Sequence, residues 1–517
     1  MSDTDVLQFR RHAILSTGSF KEAVAAFQKQ RVERQAVPSS YQAACSVLPT
    51  MKSQTELELT MRHPKAYPVL NPYSDPATFA ATILRPARIT TCDSSNTSSG
   101  KCYLGNFNPS SREQQLISTD ASYGLKSWKY ITLCDDRLKD IEIKYWTVVP
   151  ISNEFAASII SQYLEVDHPT LGFFDADLFI HDLVYRRLEF CSPLLVSSLL
   201  YWAVHSYSFI DANSSTMSAA FFAEAKMLWK AERESDSPTT AAALLLLGLG
   251  TACNGNDDDC ISFNKEAEHI CRRLGYFSEA QPESHFNVNN EASRFKAHVA
   301  WGTWSWSTIR SMIYHLKPPP NPPKLPRPGS HGWLLPSYMG MTFASLLDFN
   351  VINHEVAMVY VSDDPRPIVE RVPLAFAEAK YQKLLRWADG LPAAVVRREQ
   401  NDHHVLDLHV YFHALIMDIF RPFLSQRLSL QTFASRTSTP DAIFDASLNQ
   451  LRRLVLVYRS TQKAAAYHVC WTTGIVYVAH AMLARHETDK EWKFYFLVCI
   501  YALQDLYISF RLFSAII

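Results

Sequence analysis

What this 517-residue sequence lacks narrows its function before any motif does. None of its ten cysteines stands in a CxxC pair; they are scattered at positions 45, 92, 102, 134, 191, 253, 260, 271, 470 and 499. Structural zinc needs four thiolate or imidazole ligands gathered closely, so no zinc site is expected in this chain. Buried free thiols in a reducing compartment are expected instead. An excess of either charge is lacking too: 50 Lys and Arg against 51 Asp and Glu leave a net charge of −1. That removes any global pull toward nucleic acid or an anionic membrane and leaves only a local patch as a source of DNA affinity. A bilayer span needs about 20 apolar residues with few charges. Residues 193–210 contain His205 and several serines, and 494–517 are interrupted by Gln504, Asp505 and Arg511. Both read as buried core helices. The start, MSDTDVLQFRR, is polar and charged, unlike a signal peptide.

Catalytic signatures are missing as well. There is no GxSxG elbow, and Ser330-His331-Gly332 reads as a loop. GLGTACNG fails the dinucleotide fingerprint, because Cys253 stands where the third glycine belongs and no strand precedes it. The acidic run NGNDDDC at 254–260 lacks the calcium-loop register and reads as a solvated turn. His409 and His413 have the i, i+4 spacing of two ligands on one helix face. No glutamate lies between them, and the nearby His403 and His404 have no fixed carboxylate partner, so core or surface histidines are expected. No catalytic, cofactor-binding, DNA-binding or metal-binding residue is therefore assigned, no cofactor is expected, and the chain does not read as an enzyme.

What is present is helical punctuation. Apolar residues recur at helical spacing over 152–278, with Asn153 and Asp175 as candidate caps. Ser192-Pro193 and Ser237-Pro238 repeat a cap followed by an N1 proline, and Gly275 suits a left-handed C-cap. Further helices are expected over 291–317, 372–391, 403–420, 440–460, 464–485 and 492–513. Between the first two, the tract KPPPNPPKLPRPG cannot continue a helix and reads as a rigid connector in extended polyproline conformation. The fold class is all-α, one large multi-helix domain over 128–517 with halves at about 128–317 and 340–517. Ahead of it, residues 1–37 hold a short amphipathic segment carrying Phe20, Val24 and Phe27. Residues 38–127, rich in proline and including the polar tract CDSSNTSSGK, read as a flexible and partly disordered linker.

The run YWTVVPISNEFAASIISQYLEVDHPTLGFFDADLF at 145–179 is followed by LLYWAVHSYS, FFAEAKMLW, TAAALLLLGLG and CRRLGYF. Further on come RFKAHVAWGTWSWSTIRSMIYHLKPPP and LHVYFHALIMDIFRPF. In this order the motifs resemble the fungal-specific transcription factor domain, the regulatory middle region of fungal zinc-binuclear-cluster transcription factors, from about Trp128 onward. The resemblance implies a nuclear regulator of RNA polymerase II genes that works with other regulators or coactivators, with a small-molecule effector and a homodimer as open alternatives. Two departures matter. A long proline run replaces the family's short arginine-proline element after the tryptophan helix. The six-cysteine DNA-reading pattern is absent, so zinc is expected only with a further N-terminal module, and DNA contact only through such a module or indirectly. The alternative reading is a cluster-less helical protein that binds a small molecule or assists another protein.

Overall fold

The structure, a computed structural model, describes residues 53–70, 83, 132–277, 290–330, 332–426, 428–435 and 438–510. The chain divides into one unit made of Met1–Pro86 with Cys134–Ile517 and a second, Ala87–Leu133, almost wholly outside the described residues. The first unit is described below. Among the described residues there are sixteen α-helices and no strand, as the helical punctuation predicts.

The start signals act as the sequence predicts, with one shift. Helix α1 spans Gln54–Arg62 and α2 spans Asn153–Val166. Ser152, not Asn153, caps α2, its side chain accepting the Phe155 N–H; Asn153 Oδ1 instead accepts the Ile143 N–H at 3.0 Å. A single turn, α3 (His168–Leu171), follows at once and ends in left-handed Gly172. Asp175 caps α4 (Ala176–Tyr185), while Ser192 and Ser237 cap α5 (Pro193–Tyr207) and α7 (Pro238–Cys253) around α6 (Ser218–Glu232). Helix α8 (Asp257–Arg273) corrects the expected acidic turn. Asn256 caps it, and Asp257, Asp258 and Asp259 form its first turn, where carboxylates face the positive end of the helix dipole.

Helix α9 (Glu291–Tyr314) packs on α10 (Thr342–Tyr360), and α7 lies against both α5 and α8. Next come α11 (Ile368–Arg371), α12 (Leu374–Asp389), α13 (His403–Phe420) and α14 (Pro440–Thr461). The chain ends its described course with α15 (Thr472–Ala484) and α16 (Trp492–Tyr507). No helix among the described residues is long and apolar enough to cross a membrane. Helix α9 passes close to the end of α3: a Cβ on Gly302 would sit 2.3 Å from the Gly172 carbonyl oxygen.

Leu244, Leu245, Leu246 and Leu247 of α7 are all 0% exposed, so this helix is buried from every side. Replacing Leu245 by Asp is expected to unfold or aggregate the protein. An unpaired buried carboxylate costs several kcal/mol, comparable to a whole-domain stability of roughly 5–15 kcal/mol. A soluble variant with an unchanged melting temperature would show that burial here has been misjudged.

Residues 134–517, which hold both helical halves, fall within one unit. One expectation about organisation needs correcting. Part of the supposed linker is core. In residues 53–70, Leu59, Ala66 and Tyr67 are 1% exposed or less, and α1 packs on α14. Tyr67 donates or accepts at Ser447 Oγ (2.8 Å) and accepts from the Tyr381 hydroxyl (3.1 Å). Gln450 donates to the Pro68 carbonyl at 3.0 Å. Ile83 is also buried, its carbonyl accepting from Arg459. Local polarity could not reveal this, because the partners lie more than 300 residues away in sequence. The segment 1–37 lies outside the described residues, as does the tract at 92–101.

A buried carboxylate–histidine–carboxylate centre

The feature at the heart of the helical unit is His468, a residue that sequence reading placed inside one helix over 464–485. That span is broken. A 3-10 turn, Lys463–Ala466, is separated from α15 by residues 467–471, and His468 sits in the gap, 0% exposed. Its Nδ1 lies 2.8 Å from Asp167 Oδ1 and its Nε2 lies 2.8 Å from Asp407 Oδ2. Asp167 and Asp407 are 1% and 0% exposed.

Each partner is positioned by its own element. Asp167 stands at the joint between α2 and α3, directly ahead of His168-Pro169. Its carbonyl accepts from the Thr170 and Leu171 N–H groups, and its Oδ2 accepts from Trp202 Nε1 of α5 at 2.9 Å. Asp407 lies on the inner face of α13. The Tyr458 ring of α14 stacks on Trp471, three residues beyond His468, with centroids 4.6 Å apart.

With a carboxylate at each ring nitrogen, both nitrogens donate, and the ring is an imidazolium. Burial by itself would depress the His468 pKa, but the charge of Asp407, the neighbouring Cys470 and the hydrogen bonds to Asp167 and Asp407 outweigh it and hold the pKa well above the usual histidine value. The neighbouring His403, whose Nε2 is 2.8 Å from the Val166 carbonyl oxygen, moves the other way. Burial and the His468 charge push it well below the ordinary value. The centre thus holds one cation between two anions. It ties the α2–α3 joint and α5, from the first half of the sequence, to α13 and the 467–471 break from the second.

A second buried carboxylate is satisfied without a cation. Glu224 of α6 accepts from Thr147 Oγ1 (2.5 Å), Ser197 Oγ (2.8 Å) and the Val148 N–H (2.7 Å), fixing residues 147–148 against α5 and α6.

The histidines singled out by spacing do not converge on an open site. His409 Nε2 is 2.9 Å from the Val395 carbonyl oxygen, and burial lowers its pKa to about 4. His413, one turn on, packs edge-on against Tyr67 with centroids 5.4 Å apart, on the segment read as linker. His404 Nδ1 is 2.7 Å from Thr342 Oγ1. Among the described residues no three His, Cys, Asp or Glu side chains gather as metal ligands. The seven described cysteines are free, and His331 lies outside the described residues. Nothing in the periodicity of 464–485 signals the break at His468; the two aspartates that demand it are 301 and 61 residues away.

The unit is all-helical and knit by a buried ionic centre, and the chain has curated relatives of known role. They are fungal transcription regulators. The chain is 25% identical over 348 residues to the notoamide biosynthesis transcriptional activator notL' of Aspergillus versicolor, covering 61% of this chain and 55% of that one. It is 22% identical over 373 residues to the nitrogen assimilation transcription factor nirA of Emericella nidulans, covering 66% and 41%. Its identity to the nitrogen assimilation transcription factor nit-4 of Neurospora crassa is 21% over 382 residues, covering 66% and 34%. The chain thus spans about half the length or less of these curated relatives. No protein-family model matches it, and no solved structure does.

Proposed function

We propose that this chain is a fungal nuclear transcription regulator, represented by its helical regulatory region. The carrying observation is its similarity to three fungal transcription regulators over 61–66% of its length. The region works through contacts with other regulators or coactivators, or by sensing a small effector, and not by catalysis.

The direct test is to fuse the full chain to an unrelated DNA-binding module and recruit it to a reporter promoter in a fungal host. A several-fold rise or fall in reporter transcript is expected, and an unchanged transcript refutes the proposal. By itself the chain is proposed to bind neither zinc nor a specific DNA sequence, reaching DNA through a partner or a further module. Specific reading needs a positioned element in the major groove and several phosphate contacts, and a net charge of −1 favours neither. Metal analysis is expected to find no stoichiometric zinc. A DNA shift assay on random and inverted-repeat CGG sites should show only weak binding that disappears with salt. Salt-resistant preference for such sites would overturn this.

A further inference from the structure

The proline tract carries chemistry that the regulatory reading leaves unused. Residues 317–329 follow α9, whose end is marked by left-handed His315 (φ 50°), and close at left-handed Gly329 (φ 84°). Proline has no N–H, so such a segment offers carbonyls with few donors of its own to meet them. The protein supplies donors from side chains. Trp304 Nε1 donates to the Pro320 carbonyl and Trp301 Nε1 to the Leu325 carbonyl, each at 2.8 Å. His354 Nε2 stands 3.0 Å from the Pro319 carbonyl oxygen. Pro319, Pro323 and Pro328 are buried, whereas Asn321 and Lys324 face solvent. Arg327 lies over the Trp301 ring, 5.4 Å from its centroid, and pairs with Asp348. Beneath the tract, Trp301, Trp304, Met339, Phe343 and Leu347 form one core cluster, each 2% exposed or less.

Indole donors set among aromatic planes are the general means by which extended proline-rich ligands are held. We propose that the tryptophan face of α9 and α10 is a polyproline-recognition groove, filled in cis by residues 317–329. Its partner in trans is a proline-rich segment of another protein, admitted when the tract lifts. The resident tract itself states what the groove fits: buried prolines at intervals, and backbone carbonyls turned toward two tryptophans and a histidine. A tract tethered at both ends competes at high effective concentration, so the intact protein takes a free peptide only weakly. The tract is therefore a gate as well as a connector.

The test uses the full chain with residues 318–328 replaced by glycine and serine at equal length. The probe is the synthetic peptide KPPPNPPKLPRPG, which is residues 317–329. The replaced chain is expected to bind the peptide at least about tenfold more tightly than the intact chain, given a tethered competitor. Adding Trp304→Phe, which keeps a ring and removes the donor, should weaken binding about 3- to 10-fold, the loss expected for one hydrogen bond. A peptide with alanine in place of every proline should not bind. If the replaced chain loses its helical circular dichroism, Arg327→Ala in the otherwise intact chain frees only one end of the tract. That variant should bind the peptide several-fold more tightly than the unaltered chain. A folded replaced chain that ignores the peptide, or takes the alanine peptide equally well, overturns the proposal. So does an Arg327→Ala chain no tighter than the intact one where the replaced chain does not fold.

Discussion

Replacing His468 by alanine is expected to lower the stability of the folded unit by roughly 3–5 kcal/mol, a large part of the 5–15 kcal/mol of an ordinary domain. The size follows from what remains. Asp167 and Asp407 would face each other across the vacated ring, both essentially unexposed and without the cation that both now share. Two buried anions must then be hydrated, protonated or moved, and each option disrupts the contact between the α2–α3 joint and α13. His468→Gln should fall between, because an amide donates to one carboxylate but turns an oxygen toward the other. Chemical denaturation followed by circular dichroism measures both, and an alanine variant with an unchanged midpoint would show the centre to be dispensable.

The pH dependence follows from the same geometry. The folded pKa of His468 lies above its unfolded value, so its stabilisation is fully present below the unfolded pKa. It is lost as pH rises through the raised folded value. The unaltered protein should therefore weaken on moving into the alkaline range, and His468→Gln should remove that part of the decline. His409 has the opposite sign, its folded pKa of about 4 lying below the unfolded one. Its contribution is present above the unfolded pKa and is lost as pH falls through the folded value, so acid weakens the protein whether or not His468 is present.

The second large effect is expected from removing the segment that local composition marks as a linker. A chain beginning at Trp128 loses Leu59, Ala66, Tyr67 and Ile83, all buried against the rest of the unit. Tyr67 is held by Ser447 and Tyr381 and covers His413, and burial has pushed its hydroxyl pKa up to about 12. Tyr67→Ala is expected to cost roughly 3–5 kcal/mol, as large-to-small changes at buried aromatics do. Truncation, which also strips the α1 contact with α14, should give an insoluble or partly unfolded product. A stable, soluble chain from Trp128 with an unaltered melting temperature would restore the linker reading.

Much of the fold was legible locally because its signals are local. The caps at Asp175, Ser192 and Ser237, the N1 prolines and the left-handed Gly275 act within one helical turn, so a reader of sequence sees both cause and effect. The all-apolar face of α7 likewise implies burial without a named partner. The cap of α2 slipped from Asn153 to Ser152 because both residue types suit the position, and only the demand of the Ile143 N–H for Asn153 separates them. Tertiary structure alone decided the rest. Residues 53–70 are polar enough to read as linker, yet their few apolar side chains fit a surface formed by α12, α13 and α14. His468 looks like one more position in a helical run until Asp167 and Asp407 arrive from distant elements and make breaking the helix worthwhile. In the sequence the tryptophans of α9 are part of a helix and no more, and the prolines after them its stop. Donor and acceptor become a pair only once the chain folds back, since hydrogen bonds and charges act through space while periodicity records only neighbours along the chain.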